Sequence, residues 1–289
     1  MPADASTLPI GIFAKTFPGS TPDLVLGAAA RAGFRHVQFN LSSAGLETVP
    51  ETVPLQTEHD IAHSVQQYQI SIEALSGTTN ICHPDRGTRQ ENVRRLVALA
   101  ATCRRLGIPV LTLSTGTRDP DDLWCAHPDN RSAAALSDLR GSLRHLLDAT
   151  ASTGVTLAFE PEASNVIQTA DQAAGLITEF SDARLAVVLD LANLLGDAGV
   201  TGQGEIIHHA ARRLRGHIAL AHAKDIDAHH AVVAPGMGAI DFTRYLSALR
   251  RDAGYTGPVI MHGLSAGEVP AALRHLRAAR DAAQLSLSS

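Results

Sequence analysis

The stretch Leu185-Ala-Val-Val-Leu-Asp190-Leu-Ala-Asn193 has the pattern of a buried strand that ends on a carboxylate. Strands of a parallel sheet covered on both faces are apolar along their length, so the first charged residue marks the carboxyl end of the strand. We therefore predict a strand that ends at Asp190, with a glycine-rich loop after Asn193. Three other strand candidates also end on a side chain that can bind a metal or carry a proton: Thr156–Glu160, Ile218–His222 and Val259–His262.

Strand and helix patterns alternate eight times along the chain. In its first half, strands are predicted at Ile10–Phe17, Phe34–Leu41, Ile70–Leu75 and Val110–Ser114. Helices are predicted at 20–32, 57–68, 88–106, 132–152, 169–180, 203–213, 241–253 and 266–282. Eight strand-helix units predict a single α/β domain over residues 1–289, a parallel (β/α)8 barrel with its active site at the carboxyl ends of the strands. A doubly wound open sheet is the alternative, but no glycine-rich phosphate loop follows the first strand.

The composition indicates a soluble protein with a large core. The chain has 289 residues, of which 45% are hydrophobic, and its 24 basic and 29 acidic residues give a net charge of -5. Without a basic cluster, no nucleic-acid or anionic membrane surface is expected. No secretory signal or long apolar run is present, so we expect a cytoplasmic protein. The cysteines, Cys82, Cys103 and Cys125, are expected to be core or loop residues rather than reactive thiols.

The four strand-end side chains should converge at one rim of the barrel. They are Glu160, Asp190, His222 and His262. An unpaired buried carboxylate is costly, and a divalent metal would remove that cost. The mixed oxygen and nitrogen ligands suit Mn, Co, Zn, Mg or Fe and do not select among them. The alternative is that each side chain caps the next loop or faces water.

Several motifs surround these residues. They are Phe159-Glu160-Pro-Glu162, Val188-Leu-Asp190-Leu-Ala-Asn193-Leu, His222-Ala-Lys224-Asp225, Pro235-Gly-Met-Gly238-Ala-Ile-Asp241-Phe and Gly254-Tyr-Thr-Gly-Pro-Val. The chain resembles the xylose isomerase-like TIM-barrel superfamily from Gly11 to about Arg280. Within it, the sequence is similar to the sugar-phosphate isomerase/epimerase group that includes ketose 3-epimerases and inosose dehydratases.

The resemblance implies one divalent metal held by Glu160, Asp190, His222 and a group from the eighth strand. In the ketose 3-epimerases that group is a glutamate, which also serves as one of two acid/base carboxylates. Here the matching residue is His262, so a symmetrical two-glutamate epimerisation is not expected. Asn193 is a second difference, because many relatives have a histidine there that contacts the substrate.

The expected reaction is proton abstraction next to the carbonyl of a small carbohydrate. A metal would polarise the carbonyl and stabilise the enediolate. Glu160 is the expected base, and His262 is the expected metal ligand or partner acid. Isomerisation, epimerisation and dehydration of the inosose dehydratase kind stay open, as do phosphorylated sugars or cyclitols as substrates and a homo-oligomeric state.

Two further classes of function are compatible with the barrel. A non-catalytic sugar-binding barrel is suggested by His262, which replaces the second carboxylate. A DNA-repair endonuclease of the endonuclease IV kind would need more metal ligands and a basic face, and the acidic balance of the chain disfavours it.

Other candidate pocket residues lie near the predicted strand ends. Lys224 and Arg118 are expected to bind an anionic or polar end of the substrate, although Lys224 has Asp225 and Asp227 as alternative ion-pair partners. The loop from Thr115 to Asn130 has the length of a lid or binding element. The remaining candidate substrate-binding residues are Glu162, Asn193, His83, Trp124 and Lys15.

Overall fold

The computed structural model describes residues 7–195 and 200–288, and eight parallel strands in it close into a barrel. The barrel strands are β1 (Ile10–Phe13), β2 (His36–Phe39), β3 (Ser71–Gly77), β4 (Val110–Ser114), β5 (Thr156–Glu160), β6 (Leu185–Asp190), β7 (Ile218–Ala223) and β10 (Val259–Met261). Each pairs with its neighbours in sequence, and β1 pairs with β10 to close the ring. A two-stranded antiparallel hairpin, β8 (Asp225–Ile226) and β9 (Val232–Val233), follows β7. The predicted (β/α)8 barrel is confirmed.

Helices connect the strands in the order expected for this fold. Their bounds are α1 (Pro22–Arg31), α2 (Leu55–Tyr68), α3 (Arg86–Leu106), α4 (Ala133–Ala149), α5 (Ala170–Phe180), α6 (Leu191–Leu195), α7 (Gln203–Arg213), α8 (Phe242–Arg251) and α9 (Val269–Ser288). Short 3-10 helices lie at Ala14–Thr16, Leu41–Ala44 and Pro128–Arg131. Within the described residues, no helix has the length and apolar character to cross a membrane.

Three predicted segments differ from the structure in ways that shape the rim of the barrel. The first strand ends at Phe13, because Ala14–Thr16 turns into a 3-10 helix. The second strand ends at Phe39, where the Asn40 side chain accepts a hydrogen bond from the Ser42 amide and starts another such turn. The loop expected after β6 begins as the short helix α6, because Asp190 Oδ1 accepts a hydrogen bond from the Ala192 amide. Residues 196–199 of that predicted loop lie outside the described residues.

The barrel interior is filled by small and branched apolar side chains. They come from alternate positions on seven of the strands and form a cluster of Phe13, Ala74, Val110, Ala158, Ala186, Val188, Leu220 and Ile260. Since side chains alternate faces along a strand, a residue two positions further on points to the same side. Glu160, Asp190, His222 and His262 each stand two positions beyond a member of this cluster. The strand period therefore turns all four inward, above an apolar floor.

The larger part of the core lies between the barrel and its helices, and two of the three cysteines are part of it. Cys82 and Cys103 are buried, and burial raises the pKa of the Cys103 thiol to about 12. Cys125 is exposed, and all three are free. Burial also raises the pKa of the Cys82 thiol, so neither buried thiol has the lowered pKa of a reactive cysteine.

Candidate active site

The carboxylate of Asp190 is the centre of a group of charged side chains at the carboxyl end of the barrel. It is fully buried, and its Oδ2 atom lies 3.1 Å from Lys224 Nζ and 3.1 Å from His262 Nε2. Burial favours the neutral form, but Lys224 and the two histidines outweigh it and hold the pKa of Asp190 well below its usual range. Asp190 is therefore a fixed negative charge at the end of β6.

His222 has one ring nitrogen that is bonded and one that is not. Its Nε2 lies 2.8 Å from Gln38 Oε1, and the Gln38 amide nitrogen donates to Ser76 Oγ. This orientation presents the Gln38 carbonyl to the ring, so Nε2 carries the hydrogen. The other nitrogen, Nδ1, is buried and has no hydrogen-bond partner among the described residues. It lies 3.5 Å from Glu160 Oε1 and 3.7 Å from Asp190 Oδ2.

The two carboxylates beside the unpartnered nitrogen of His222 strongly favour a positive charge at that nitrogen. Burial lowers the pKa of His222, but Glu160 and Asp190 outweigh it and raise the pKa to about 9. His262 responds in the opposite direction, because burial and the neighbouring His222 lower its pKa. Without a metal ion, a proton on His222 Nδ1 supplies this positive charge. A divalent ion would supply it as well and would use the lone pair on Nδ1.

The donor atoms fit a divalent metal. Ligand atoms of Asp190, His222 and His262 all lie within 4.8 Å of one another. Glu160, the fourth ligand implied by the family resemblance, is outside this compact group, although its Oε1 is close to His222 Nδ1. One carboxylate and two imidazoles suit Mn, Fe, Co or Zn, with Glu160 able to complete the set, whereas Mg prefers oxygen ligands.

A chain of hydrogen bonds joins Lys224 to Glu160. Lys224 Nζ donates to Asn193 Oδ1, and Asn193 Nδ2 donates to Glu160 Oε1 at 2.6 Å. Asn193 lies on α6 and is therefore held one turn above Asp190. The hydrogen bond from the Asn193 amide therefore fixes the orientation of the Glu160 carboxylate.

The alternative ion-pair partners proposed for Lys224 have other roles, because Lys224 pairs with Asp190 instead. Asp225 is buried, and its carboxylate accepts hydrogen bonds from four backbone amides of the segment 226–240. Asp227 accepts from two amides of the turn between β8 and β9. Of the two interpretations left open for Lys224, the structure does not support pairing with Asp225 or Asp227, because both carboxylates bind backbone amides of their own loop.

A cavity of about 300 Å³ opens above these residues. Its lining contains the expected Glu160, Glu162, Asn193, His222, Lys224, His262, Lys15 and Trp124. Burial, with the nearby Glu160 carboxylate, raises the pKa of Glu162 to about 7 despite the opposing effect of Lys224. Trp124 is 59% exposed at this cavity, and Lys15 Nζ lies 4.8 Å from the centre of the Phe13 ring.

Two expected pocket residues do not reach the cavity. Arg118 donates to Asp138 Oδ2 at 2.7 Å and to the Cys82 carbonyl at 3.2 Å, which fixes the loop after β4 against α4. His83 Nε2 lies 3.0 Å from the Pro120 carbonyl, so it also joins two loops. The structure thus assigns both side chains to loop packing and does not bring them into the lining.

Other polar residues of the cavity were not singled out from the sequence as site residues. They are Gln38, Asn40, Thr48, Thr78, Thr112 and Ser114. Four of them could have been recognised from the sequence. Gln38 and Asn40 lie near the end of β2, Thr112 and Ser114 lie on β4, and both pairs alternate with buried apolar residues. A polar residue at every second position of a barrel strand near its carboxyl end indicates the inward face. Thr48 and Thr78 lie on loops and have no such pattern.

The fold and the inward group of carboxylates and imidazoles define a (β/α)8 barrel with a polar site at the carboxyl ends of its strands. Residues 26–281 match the family model described as xylose isomerase-like TIM barrel, so the chain belongs to this family. No curated protein matches the chain in sequence.

Several solved structures share the whole fold at low sequence identity. A 3-keto-D-glucoside 4-epimerase from E. coli has a TM-score of 0.75 and 16% identity, over 94% of this chain and 99% of that one. An L-ribulose 3-epimerase has a TM-score of 0.73 and 20% identity, over 96% of this chain and 98% of that one. A D-allulose 3-epimerase from Methylomonas sp. has a TM-score of 0.67 and 16% identity, over 97% and 96%. At these identities the likeness establishes the fold.

Proposed function

We propose that this protein is a metal-dependent isomerase or epimerase of small carbohydrates that removes a proton next to a carbonyl. The observation that carries the proposal is His222 Nδ1, a buried nitrogen that has no hydrogen-bond partner in the described part of the chain and faces the carboxylates of Glu160 and Asp190. Buried polar atoms without partners are rare, and such an atom between two carboxylates fits a cation site. Family membership and the epimerases among the structural neighbours support the same class of reaction.

Asp190, His222 and His262 would hold the ion, with Glu160 beside them. A divalent ion at this place would polarise the carbonyl of a hydroxy-ketone and lower the barrier to loss of the neighbouring proton. Gln38 keeps the hydrogen of His222 on Nε2 and leaves the Nδ1 lone pair for the ion. Such a contact outside the ligand set commonly fixes the tautomer of a metal-binding histidine.

Glu160 is the proposed base. Its carboxylate lines the cavity, is 22% exposed, and is oriented by the Asn193 amide. Proton transfer to a positioned carboxylate leaves an enediolate, whose hydroxyl and carbonyl oxygens need hydrogen-bond donors. Lys224 and Lys15 line the same cavity and supply positive charge for them.

The return of the proton decides which product forms. By the family resemblance, His262 matches the position of the second glutamate of the ketose 3-epimerases, so a second carboxylate from the eighth strand is not available across the substrate. Glu162 offers a second protonable carboxyl group in the cavity, next to the proposed base. A single base that returns the proton to the neighbouring carbon gives isomerisation. A second acid on the other face gives epimerisation, and loss of a β hydroxyl gives dehydration.

The test is exchange of the α proton of a bound hydroxy-ketone with solvent deuterium. A panel of ketoses, inososes and keto-glycosides is incubated in D₂O with wild type, Glu160→Gln and the control Glu73→Gln, at equal metal occupancy. Glu73 pairs with His36 near the start of β2 and lies outside the cavity lining. We expect Glu160→Gln to lose about 100-fold or more of the exchange rate, the scale of general base catalysis. Equal exchange by wild type and Glu160→Gln would overturn the role given to Glu160.

A further inference from the structure

A second cavity, of about 260 Å³, lies next to the first and shares a wall with it. Glu162, Asn193 and Lys224 line both cavities. The first cavity is here called the inner cavity and the second the outer cavity. The two cavities are therefore adjacent, with these three side chains between them.

The two cavities differ in chemistry. The inner cavity contains the charged group and many hydroxyl and amide side chains, which suits a ring with several hydroxyls. Beyond the shared wall, the outer cavity is lined by Ala163, Ala192, Ile226 and Val232, with Ser164 and His230 as its polar members. Val232 is 52% exposed, and Ala163 is also exposed. Exposed hydrocarbon beside a polar ligand site is typical of a place where an apolar group binds.

The inner cavity is also small. Its volume of about 300 Å³ is at the lower end of the range for ligand sites, which is sufficient for a single sugar ring. A substrate with a second unit needs further room, and the outer cavity is adjacent to the inner one. With a polar substrate of one ring in the inner cavity, the outer cavity would contain only water.

We propose that the outer cavity binds the apolar aglycone of a glycoside whose ketone-bearing ring reacts in the inner cavity. The proposal rests on the proposed function for the identity of the ring, and it adds the substrate class: keto-glycosides with an apolar aglycone rather than free ketoses. Ala163 and Val232 line the outer cavity and would contact the aglycone, while Asn193 and Lys224, which line both cavities, would lie near the glycosidic bond.

The experiment compares equilibrium binding of methyl and phenyl 3-keto-glucopyranosides, both anomers, by titration calorimetry. The wild-type protein should bind a phenyl glycoside about tenfold more tightly than its methyl counterpart, the effect expected when a phenyl ring loses several tens of Å² of contact with water. Ala163→Trp fills the outer cavity from an exposed position and should reduce the affinity for the phenyl glycoside to that for the methyl glycoside. Val232→Asp, also at an exposed residue, should do the same by placing a charge on the hydrocarbon wall.

The matched control is Ala228→Trp, which adds the same side chain to the exposed turn between β8 and β9, outside the lining of either cavity. It should leave the preference for the phenyl glycoside unchanged. Equal affinity of wild type for methyl and phenyl glycosides, no binding of either, or a preference that survives both Ala163→Trp and Val232→Asp would overturn the proposal. Deuterium exchange into free ketoses is measured separately. Exchange without a phenyl preference defeats this inference alone, and a phenyl preference without exchange on any ketone defeats the proposed function alone.

Discussion

The amide side chains of Gln38 and Asn193 decide what the charged residues of the site can do. Gln38 fixes the hydrogen of His222 on Nε2. Asn193 accepts a hydrogen bond from Lys224 and donates one to Glu160. Both amides are neutral, so they orient the neighbouring charged groups without changing the net charge of the site. The hydrogen bonds from Asn193 allow the role of Glu160 to be probed without touching a proposed metal ligand.

We expect Asn193→Ala to lower activity while the metal content stays unchanged. The variant removes the 2.6 Å hydrogen bond to Glu160 Oε1, and a hydrogen bond to a charged group contributes about 1.5–3 kcal/mol, or roughly a 10- to 150-fold effect on rate. The assay is the deuterium exchange described above, with metal content measured on the same samples. Gln56→Ala, which removes an exposed amide that donates to the Asp60 carboxylate outside the cavity lining, is the control. Full activity of Asn193→Ala would show that the hydrogen bond from Asn193 is not needed to position Glu160.

Glu162 gives a pH-dependent prediction. Its pKa is raised from an ordinary value of 4.5 to about 7, first by burial and then by the Glu160 carboxylate. The folded protein therefore keeps this proton to a higher pH than the unfolded chain does, and the stability that it contributes is lost as the pH rises through about 7. Between pH 4.5 and 7, the free energy of unfolding of wild type should fall relative to that of Glu162→Gln. Urea titrations in the presence of a chelator measure both, and parallel pH profiles would rule out a raised pKa.

Single residues of the site were only partly predictable from the sequence. Glu160, Asp190, His222 and His262 could be recognised because each ends an apolar strand, and strand ends meet at one rim. The roles of Gln38 and Lys224 could not, because they depend on which nitrogen of His222 is bonded and on which of several carboxylates a flexible side chain reaches. Arg118 and His83 also lie in loops that follow strand ends, yet their side chains form hydrogen bonds with neighbouring segments.

At the scale of elements, the segment from β8 to the start of α8 is organised by one carboxylate. Asp225 accepts hydrogen bonds of 2.9 to 3.1 Å from the amides of Ile226, Gly236, Gly238 and Ile240. This loop carries Val232 and His230 to the outer cavity and follows Lys224 directly. Its fold therefore affects both cavities.

Asp225→Asn should loosen this loop without unfolding the barrel. The amide nitrogen of asparagine cannot accept, so about two of the four hydrogen bonds are lost, at a cost of roughly 1–3 kcal/mol. Hydrogen exchange of peptides from 225–240 should become faster, while peptides from β4 and β5 stay protected. Asp227→Asn, which affects two amides in an exposed turn, should have a smaller effect. Unchanged protection in Asp225→Asn would contradict the role of this carboxylate.

The loop between β4 and α4 also has a testable role. Asn80 and Asn130 hold its backbone by side-chain hydrogen bonds to Thr117 and Arg118, and Trp124 lies at the inner cavity with 59% of its surface exposed. A bound sugar that covers the indole should shift its fluorescence to shorter wavelength. Trp124 is the only tryptophan, so the signal has one source. No change at saturating ligand would separate this loop from substrate binding.

Element types could be predicted more completely than element ends. Each strand is a short apolar run, and most helices have a clear start or stop residue, so all eight units were found. The 3-10 turns at Ala14–Thr16 and Leu41–Ala44 were missed because both continue directly from an apolar strand, and only the second has a capping side chain, Asn40. The same applies to α6, whose first turn is held by the carboxylate of Asp190.

For the whole molecule, the barrel explains why residues far apart in sequence form one site. Closure of β1 on β10 brings Met261 beside Ile12 and His262 near Phe13, while β6 and β7 pair Asp190 with His222. This arrangement follows from the number and order of strands, so it could be predicted from alternation alone. The sequence also indicated a cation beside the converging carboxylates, but not the contacts of His222 Nδ1 and His262 Nε2 with them, because these depend on side-chain distances of 3 to 4 Å.

The measurement that tests the central claim most directly is metal binding by wild type, Asp190→Ala and His222→Ala. Each protein is treated with a chelator, dialysed against Mn²⁺, Co²⁺ or Zn²⁺ and analysed for metal, with circular dichroism to verify the fold. His36→Ala is the control, because His36 pairs with Glu73 at the start of β2. We predict about one equivalent of metal in wild type and in His36→Ala, and little in the other two, because each supplies a ligand that the rest of the site cannot replace. No binding by wild type, or full occupancy in both Asp190→Ala and His222→Ala, would contradict the account.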